Sequence, residues 1–447
     1  MAKKKVVVDE ADGLIAKLLS IAPKGEEAGK WEVSRTTDLV LSQIKYVLTT
    51  GIPAFDDIVG GMPIGRMVEL YGLESCGKTA MALRTAARAQ MGHISEVVRD
   101  ANGTISYRPL DPSEYDVGVL YIDNEQSLDA DEKIVFEGVE LDIDIARCDT
   151  VDMVFKMTEG VIDVAEARSE ASDKLQFVAV VVDTIASTTT KRELAAKWGD
   201  VDFPRLPAEL SKGFARLVRR INKNNVCMVC TNQVRVNYEA QKRRGNTGGV
   251  PQSFEYRSLG GMALKFYASH RVFMHASPSK YKLLPDAQFS AGILTGFHTV
   301  KNRLRMPQRD GRMVLLYDKV QGGFHDVFSV LETLILLRYI EIENREKQSG
   351  YTLKFSKNDL KTTTFSPAKV ETTLEQDDAK PAPKRGGTKK DPSFRFRAEW
   401  PAFYAEHKAD IDTLWATAIN YAFSTPGLDG MTFEESEGLS TLEELDT

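Results

Sequence analysis

Short apolar segments alternate with amphipathic segments over about residues 51–337, and the two kinds differ in the spacing of their apolar positions. Residues 78–91 and 208–222 carry apolar side chains at the intervals of a helix with one buried face. Short valine-rich segments, typical of strands covered on both faces, occupy residues 68–71, 117–123, 176–183 and 226–231. The alternation predicts an α/β fold with a mostly parallel central sheet.

Residues 1–50 precede this core and begin with an amphipathic stretch. Its apolar positions share one side of a helical wheel and are Leu14, Ile15, Leu18, Leu19 and Ile21. Such a helix either packs on the core of its own chain or docks on a neighbouring subunit, and both alternatives stay open. We therefore treat residues 1–50 as a candidate oligomerisation segment.

Changes in composition divide the rest of the chain. Residues 93–116 are polar and contain glycine and proline, which predicts an inserted loop. Residues 338–361 are expected to form the edge of the core, and residues 362–393, rich in Thr, Lys, Pro and Gly, predict a flexible linker. A small C-terminal unit over residues 394–428 and an acidic tail over residues 429–447 complete the predicted organisation.

The overall composition is that of an ordinary globular protein: 447 residues, 42% hydrophobic and 27% charged. The longest apolar segments, such as residues 177–182, are far shorter than the ~20 residues of a membrane helix. The first residues lack the features of a secretory signal, and four cysteines are too few for a disulfide framework. We therefore expect a cytoplasmic protein without membrane contacts.

Charge is unevenly distributed along the chain. The net charge of −6 argues against a protein that coats nucleic acid by bulk charge. Residues 235–261 and 384–399 are nevertheless locally basic, whereas residues 429–447 are acidic. The tail either improves solubility or competes for the basic surfaces of the same chain.

Residues 72–79 match the phosphate-loop pattern G-x-x-x-x-G-K-[ST], between a predicted strand and a predicted helix. Glycines let backbone N–H groups surround a phosphate, and the helix N-terminus adds partial positive charge. Lys78 would reach the terminal phosphates and Thr79 would place its hydroxyl on Mg²⁺. The candidate ATP-binding residues of this loop are Gly72, Glu74, Ser75, Cys76, Gly77, Lys78 and Thr79.

Two carboxylates follow predicted strands, where ligands of open α/β sheets bind. Asp183 ends an apolar segment and is suited to hold the water shell of the metal. Glu125 follows residues 117–123 and is a candidate to orient the attacking water. A carboxylate in such a place is also a common helix cap, so both interpretations of Glu125 stay open.

Five sequence blocks resemble, in order and wording, bacterial RecA recombinases. They are residues 60–79, 121–129, 180–186, 231–235 and 260–271. The similarity covers about residues 50–335, and the unusual length suggests a bacteriophage member of the family. The resemblance implies a RecA-like P-loop ATPase that forms helical filaments on single-stranded DNA, pairs it with duplex DNA, exchanges strands and hydrolyses ATP at protomer interfaces. Single-strand-binding and loader proteins are possible further partners.

The resemblance also implies roles for matching residues. Glu125 would polarise the attacking water, Asp129 would lie near the adenine, and Gln233 would report the γ-phosphate to a DNA-binding loop. Tyr317 looks like the aromatic residue that a neighbouring subunit presents to the nucleotide. The aromatic residue that often stacks on adenine shortly after the Asp129 position is replaced here by Ala130-Asp-Glu132.

Lys301 and Arg303 resemble the pair of lysines that reach the ATP site of the adjacent subunit. The second member of the pair is arginine in this chain. A planar guanidinium can bridge γ-phosphate oxygens, so the change is chemically compatible with the same role.

Two loops are candidates for holding single-stranded DNA, which is bound by cations along phosphates and planar groups against bases. One follows Gln233 and the other follows the Asp183 strand. Their candidate DNA-binding residues are Arg235, Tyr238, Lys242, Arg243, Arg244 and Arg257 in the first, and Lys197 and Arg205 in the second. A ring helicase on the same core and a nucleotide-switched regulatory ATPase remain alternative functions.

Overall fold

The computed structural model describes much of the chain from residue 43 to residue 423. The described ranges are 43–100, 105–128, 135–137, 139–197, 206–237, 253–277, 281–284, 287–317, 323–337, 339–344, 349–353, 393–394 and 397–423. The chain divides into the units Met1–Lys45 and Tyr46–Thr447, and the architecture below is that of the second. The predicted N-terminal helix, residues 362–392 of the predicted linker and the acidic tail lie outside the described residues.

The described residues contain nineteen strands, which form four sheets. In chain order they are β1 (Tyr46–Leu48), β2 (Met62–Pro63), β3 (Met67–Gly72), β4 (Ile94–Arg99), β5 (Ile105–Pro109), β6 (Tyr115–Asp123), β7 (Val135–Phe136), β8 (Val139–Glu140), β9 (Asp144–Ala146), β10 (Leu175–Asp183), β11 (Val226–Val236), β12 (Tyr256–Ser258), β13 (His270–Ala276), β14 (Gly292–Lys301), β15 (Asp310–Leu316), β16 (Gly323–Phe324), β17 (Ile340–Asn344), β18 (Ser349–Leu353) and β19 (Ser393–Phe394).

Helices cover both faces of the central sheet. The α-helices of the described residues are α1 (Pro53–Val59), α2 (Lys78–Gln90), α3 (Val151–Ala171), α4 (Lys191–Ala195), α5 (Leu206–Lys223), α6 (Ala263–Tyr267), α7 (Asp326–Leu336), α8 (Trp400–Glu406) and α9 (Lys408–Phe423). In this part of the chain no helix combines the length and the apolar character that crossing a membrane requires.

The central sheet has the strand order β16-β15-β14-β13-β3-β11-β10-β6-β9, with β12 paired to β11. Strands β13, β3, β11, β10, β6 and β9 are mutually parallel, whereas β14, β15 and β16 extend the sheet antiparallel. This confirms the predicted α/β fold with a mostly parallel sheet. The carboxyl ends of the parallel strands meet at one edge, which we call the phosphate-loop edge.

Alternate residues of the central strands belong to different hydrophobic clusters, which explains their valine-rich sequences. In β10, Ala179 and Val181 pack in the cluster that includes residues of α1 and α2. Val180 and Val182 pack in the cluster that includes residues of α3 and α5. A strand covered on both faces needs apolar side chains at every position, so the segment lacks the alternation of a half-exposed strand.

Residues 94–99 and 105–109 form a hairpin rather than the predicted loop. β4 pairs antiparallel with β5, from Ser95 opposite Pro109 to Arg99 opposite Ile105, and β4 also pairs with β1. These strands belong to a separate sheet with the order β2-β1-β4-β5. Only Ile94 and Val97 among the apolar residues of the hairpin are well buried. Because most of its other residues are polar or exposed, the sequence pattern does not indicate two paired strands.

The described part of the predicted C-terminal unit shares a hydrophobic cluster with the core. Trp400 and Phe403 pack with Phe328 and Leu331 of α7, and Trp400 Nε1 donates a 2.7 Å hydrogen bond to Val327 O. β19 pairs with β18, which in turn pairs with β17. The residues on the two sides of the predicted linker therefore form one packed region.

Candidate nucleotide site at the phosphate-loop edge

The phosphate loop joins β3 to α2, as its sequence predicts. Gly72 lies against β13, where a Cβ atom would be 1.9 Å from Met274 O. Ser75 and Gly77 adopt left-handed conformations with φ of 52° and 87°. Gly72 must be glycine because β13 approaches it closely, and glycine is favoured at position 77 because φ is positive there. A side chain would therefore clash with β13 at Gly72 and would strain the backbone at Gly77.

The side chains of the loop are divided between its interior and its surface. Glu74 and Ser75 are exposed, whereas Cys76 is buried. The Cys76 thiol contacts Leu73 O at 2.9 Å, and burial raises its pKa. Cys76 therefore supports the loop from inside as an uncharged thiol.

Lys78 extends across its own loop. Lys78 Nζ donates hydrogen bonds to Leu73 O at 2.6 Å and to Gly72 O at 3.2 Å. The half-buried Thr79 is the second residue of α2. A lysine ammonium and the N-terminus of α2 thus both lie at the loop, a combination that favours phosphate binding.

Asp183 is buried at the carboxyl end of β10 and has both oxygens hydrogen-bonded. Thr231 Oγ1 donates to Asp183 Oδ1 at 2.5 Å, and Tyr121 OH donates to Asp183 Oδ2 at 2.9 Å. Burial and the charge of Asp183 raise the pKa of Tyr121. The neighbouring strands therefore hold this carboxylate in a fixed orientation.

Asp123, whose structural role the sequence did not reveal, shapes the turn that carries Glu125. Its carboxylate accepts hydrogen bonds from Ser127 N at 3.1 Å and Leu128 N at 3.0 Å. Asn124 N and Glu125 N donate to Asp183 O at 2.8 and 3.3 Å. Residues 124–128 form no helix, so Glu125 is not a helix cap within this segment.

Glu125 meets Gln233 at the phosphate-loop edge. Gln233 Nε2 donates a 2.9 Å hydrogen bond to Glu125 Oε1, and both side chains are exposed. Gln233 lies opposite Gly72 in the pairing of β11 with β3. Two residues distant in sequence therefore approach each other beside the start of the phosphate loop.

A buried polar network lies behind this edge. Glu69 accepts hydrogen bonds from Asn232 Nδ2 at 2.9 Å and from Arg271 Nε at 2.5 Å. Asn232 also donates to Leu259 O at 3.0 Å, and Arg271 lies 3.3 Å from Ser258 Oγ. The network joins β3, β11, β12 and β13. In the sequence, the charged Glu69 within an apolar strand is the feature that could have indicated this network.

Lys301 lies at the opposite end of the sheet. Thr295, near the start of β14, donates to Cys76 O at 3.0 Å, and the extended strand from Thr295 to Lys301 spans about 20 Å. Lys301 Nζ donates to Lys265 O and Phe266 O, at 3.0 and 2.9 Å, at the end of α6. Burial, with nearby Arg303, lowers the pKa of Lys301.

Arg303 follows β14 and is exposed at this same end. It therefore lies, with Lys301, far from the phosphate loop of its own chain. We call this end, defined by Lys301 and Arg303, the basic edge.

Tyr317 lies at the phosphate-loop edge of its own chain. It follows β15, whose Leu315 is 3.5 Å from the position of a Cβ atom on Gly77. Tyr317 N donates to Ala291 O at 3.0 Å, and its side chain is 57% exposed. The resemblance implied an aromatic residue presented by a neighbouring subunit, but this position also puts Tyr317 beside its own chain's loop.

The described candidates for DNA contact include a pair of arginines. Arg235 of β11 lies directly opposite Arg257 of β12, and both side chains are exposed. Like charges in this position repel each other, so an anionic ligand would relieve the repulsion. Lys197 is exposed after α4. The DNA-binding candidates outside the described residues are Arg205, Tyr238, Lys242, Arg243 and Arg244, and the adenine candidate Asp129 also lies outside them.

The donor set of the phosphate-loop edge fits a nucleoside triphosphate with Mg²⁺. Ser75 and Gly77 adopt left-handed conformations within the loop, and Lys78 supplies a cation beside it. The Thr79 hydroxyl is a suitable direct ligand, and the oriented Asp183 carboxylate suits an acceptor for metal-bound water.

Comparisons with known proteins identify the family of this chain. The family model of the RecA N-terminal domain matches residues 25–321. Protein RecA of Symbiobacterium thermophilum is 28% identical over 330 residues, which are 72% of this chain and 79% of that protein. Protein RecA of Thermus thermophilus is 30% identical over 309 residues, which are 68% of this chain and 76% of that protein. The chain therefore belongs to the RecA family, and its phosphate loop is that of a P-loop ATPase.

Proposed function

We propose that this protein is an ATP-dependent DNA recombinase that polymerises on single-stranded DNA and catalyses pairing and strand exchange with duplex DNA. DNA would stimulate ATP hydrolysis at the interfaces between protomers. The observation that carries the proposal is the separation of Lys78 from Lys301 and Arg303 by the length of β14. One chain cannot bring these three cations to one triphosphate, so Lys301 and Arg303 would act on the nucleotide bound to another copy.

The separation also has a consequence for assembly. A contact that joins the phosphate-loop edge of one protomer to the basic edge of the next is heterologous. Repeated heterologous contacts form open helical filaments unless the rotation closes a ring. Contacts of this kind between successive protomers would therefore build the filament that a recombinase requires.

At the phosphate-loop edge, Lys78 and the N-terminus of α2 would bind the phosphates, and Tyr317 would contact the base bound to its own chain. Thr79 would bind the metal directly, and Asp183 would orient a metal-bound water. Mg²⁺, when bound, neutralises charge on the phosphate oxygens. Asp129 stays a candidate for the adenine side of the site.

Glu125 would accept a hydrogen bond from the attacking water and orient it toward the γ-phosphate. Lys301 and Arg303 of the next protomer would approach the same phosphate from the opposite side. Their attraction to the γ-phosphate would stabilise the interface between the two protomers only while that phosphate is present. Hydrolysis would therefore loosen the filament.

Gln233 would link the nucleotide to DNA. It bonds Glu125 at 2.9 Å and shares β11 with Arg235, which faces Arg257 across the strand pair. A shift of Gln233 between Glu125 and the γ-phosphate would move the start of the loop that contains Tyr238 and residues 242–244. DNA affinity should then depend on the bound nucleotide and fall steeply with salt.

Electron microscopy of the full chain with single-stranded DNA and ATP tests this function. Helical filaments on the DNA support the proposal, closed rings would favour a helicase, and the absence of both would favour a nucleotide-switched regulatory ATPase. A joint-molecule assay with homologous duplex DNA then tests strand exchange itself.

A further inference from the structure

The β4–β5 hairpin lies beside the basic edge. A Cβ atom built on Gly60 would be 2.8 Å from Leu304 Cδ2 and 3.2 Å from Tyr107 OH. Tyr107 of β5 and Leu304, the residue after Arg303, therefore converge on the same glycine. The hairpin belongs to the sheet β2-β1-β4-β5, outside the central sheet, yet it reaches the loop that follows β14.

The turn of residues 302–305 is held by the Asn302 side chain, which bonds both the backbone of the turn and α1. Asn302 Oδ1 accepts hydrogen bonds from Leu304 N and Arg305 N, both at 2.8 Å. Asn302 Nδ2 donates to Val59 O at 2.8 Å, and Leu304 is buried. Arg303 is thus an exposed side chain on a locally ordered turn.

The hairpin supplies the next anchor through Arg305. The Arg305 guanidinium lies over the Tyr107 ring, with 5.3 Å between its Cζ atom and the ring centroid. Arg305 Nε lies 3.3 Å from Tyr107 OH, and Arg305 donates a 3.1 Å hydrogen bond to Ile105 O. Ring, hydroxyl and carbonyl together define one orientation for this side chain.

Helix α9 contacts α1 close to Arg305. Trp415 Nε1 of α9 donates a 2.7 Å hydrogen bond to Asp57 Oδ2 of α1. Burial raises the pKa of Asp57, while the Trp415 hydrogen bond and the charge of Arg305 act against this rise. Arg305 therefore contacts an aromatic ring of the hairpin, and its charge acts on a carboxylate that is hydrogen-bonded to Trp415 of α9.

We propose that Tyr107 is a positioning residue for Arg303: by holding Arg305, it fixes the turn from which Arg303 reaches the nucleotide of the neighbouring subunit. The inference rests on the proposed function of Arg303, and it gives the β4–β5 hairpin a role in the interfacial site. Leu304 separates the two arginines, so a turn fixed at Asn302 and Arg305 has little freedom at Arg303.

The test compares DNA-stimulated ATP hydrolysis of Tyr107→Leu, Tyr107→Phe and Arg305→Met in the full chain. Loss of the guanidinium–ring contact in Tyr107→Leu or Arg305→Met should lower kcat about 5- to 30-fold. The KM for ATP should change less than about twofold, because the phosphate loop is intact. Tyr107→Phe keeps the ring and should retain most of the turnover.

Arg108→Ala is the matched control within the hairpin. Arg108 lies next to Tyr107 and forms an exposed ion pair with Glu96, so its loss should leave kcat unchanged. Melting temperatures of all variants identify any loss of folding. If Tyr107→Leu does not fold, Arg305→Met tests the same contact from the other side.

A double-variant cycle decides whether the effect acts through Arg303. In the Arg303→Ala background, Tyr107→Leu should lower the residual turnover no further. An equal reduction in both backgrounds, or wild-type kcat for folded Tyr107→Leu and Arg305→Met, would overturn the inference. Wild-type turnover of Arg303→Ala itself would instead contradict the proposed function, so the two failures are distinguishable.

Discussion

Gln233 Nε2 and Glu125 Oε1 are joined by a 2.9 Å hydrogen bond at the edge where the phosphate loop begins. Glu125 belongs to the turn after β6 and Gln233 to β11, with β10 between the two strands. The contact gives the candidate water-orienting residue a direct partner on the strand that leads to the candidate DNA loop. Under the proposed function, ATP hydrolysis and DNA binding would be linked through this hydrogen bond.

Replacement of Glu125 by glutamine should separate ATP binding from hydrolysis. Glutamine keeps the size of the side chain but removes the carboxylate that would orient and deprotonate water. Turnover should fall about 10²- to 10⁴-fold while ATP still binds. Steady-state hydrolysis and nucleotide titration measure the two effects, with the exposed Glu170→Gln on α3 as control. Unchanged turnover in Glu125→Gln would remove Glu125 from the reaction.

The buried pair of Glu69 and Arg271 should matter most for stability. Glu69 is fully buried and Arg271 nearly so, and Glu69→Gln would leave the guanidinium without its charge partner. Removing one member of such a pair should lower the free energy of unfolding by about 3–5 kcal/mol. Urea denaturation measures this loss.

A double variant provides the control for this pair. Glu69→Gln combined with Arg271→Met removes both charges and should cost clearly less than the sum of the two single changes. Strictly additive losses would show that the two side chains do not act as a pair.

Asp56 should give the protein a pH-dependent stability. Burial raises its pKa to about 6, although Thr50 and Gly51 donate hydrogen bonds to its carboxylate. In the unfolded chain the pKa is about 4, so the folded state holds the proton more tightly. The resulting stabilisation is complete below about pH 4 and is lost as the pH rises through about 6.

The variant Asp56→Asn isolates this effect. Relative to the variant, the wild-type protein should lose roughly 3 kcal/mol of unfolding free energy between pH 4 and pH 7. Urea denaturation at several pH values gives the difference. Parallel pH curves for the two proteins would contradict the raised pKa of Asp56.

Local sequence was sufficient for the parts of the site that short segments build. The phosphate loop needs only residues 72–79 and the elements on both sides, and Asp183 was identified because it ends an apolar strand. The parallel arrangement then explains why Gly72, Gln233 and Asp183 share an edge, since carboxyl ends of parallel strands coincide.

Contacts between distant strands could not be predicted in the same way. The network of Asn232, Glu69 and Arg271 depends on the strand order β13-β3-β11, which the sequence analysis did not derive. The position of Tyr317 likewise depends on β15 running antiparallel to β14. The hairpin was missed because its polar exposed face outweighs its few buried residues.

Mixing Lys78→Ala with Arg303→Ala distinguishes an ATP site made by two copies from a site made by one chain. Each variant carries one intact half of the interfacial site, and each alone should retain only a small residual DNA-stimulated hydrolysis. In an equimolar mixture, an intact Lys78 meets an intact Arg303 of the next protomer at about a quarter of randomly formed interfaces. Turnover should recover to about that fraction of the wild-type value. A mixture no more active than its two components measured separately would show that the ATP site does not need residues of two copies.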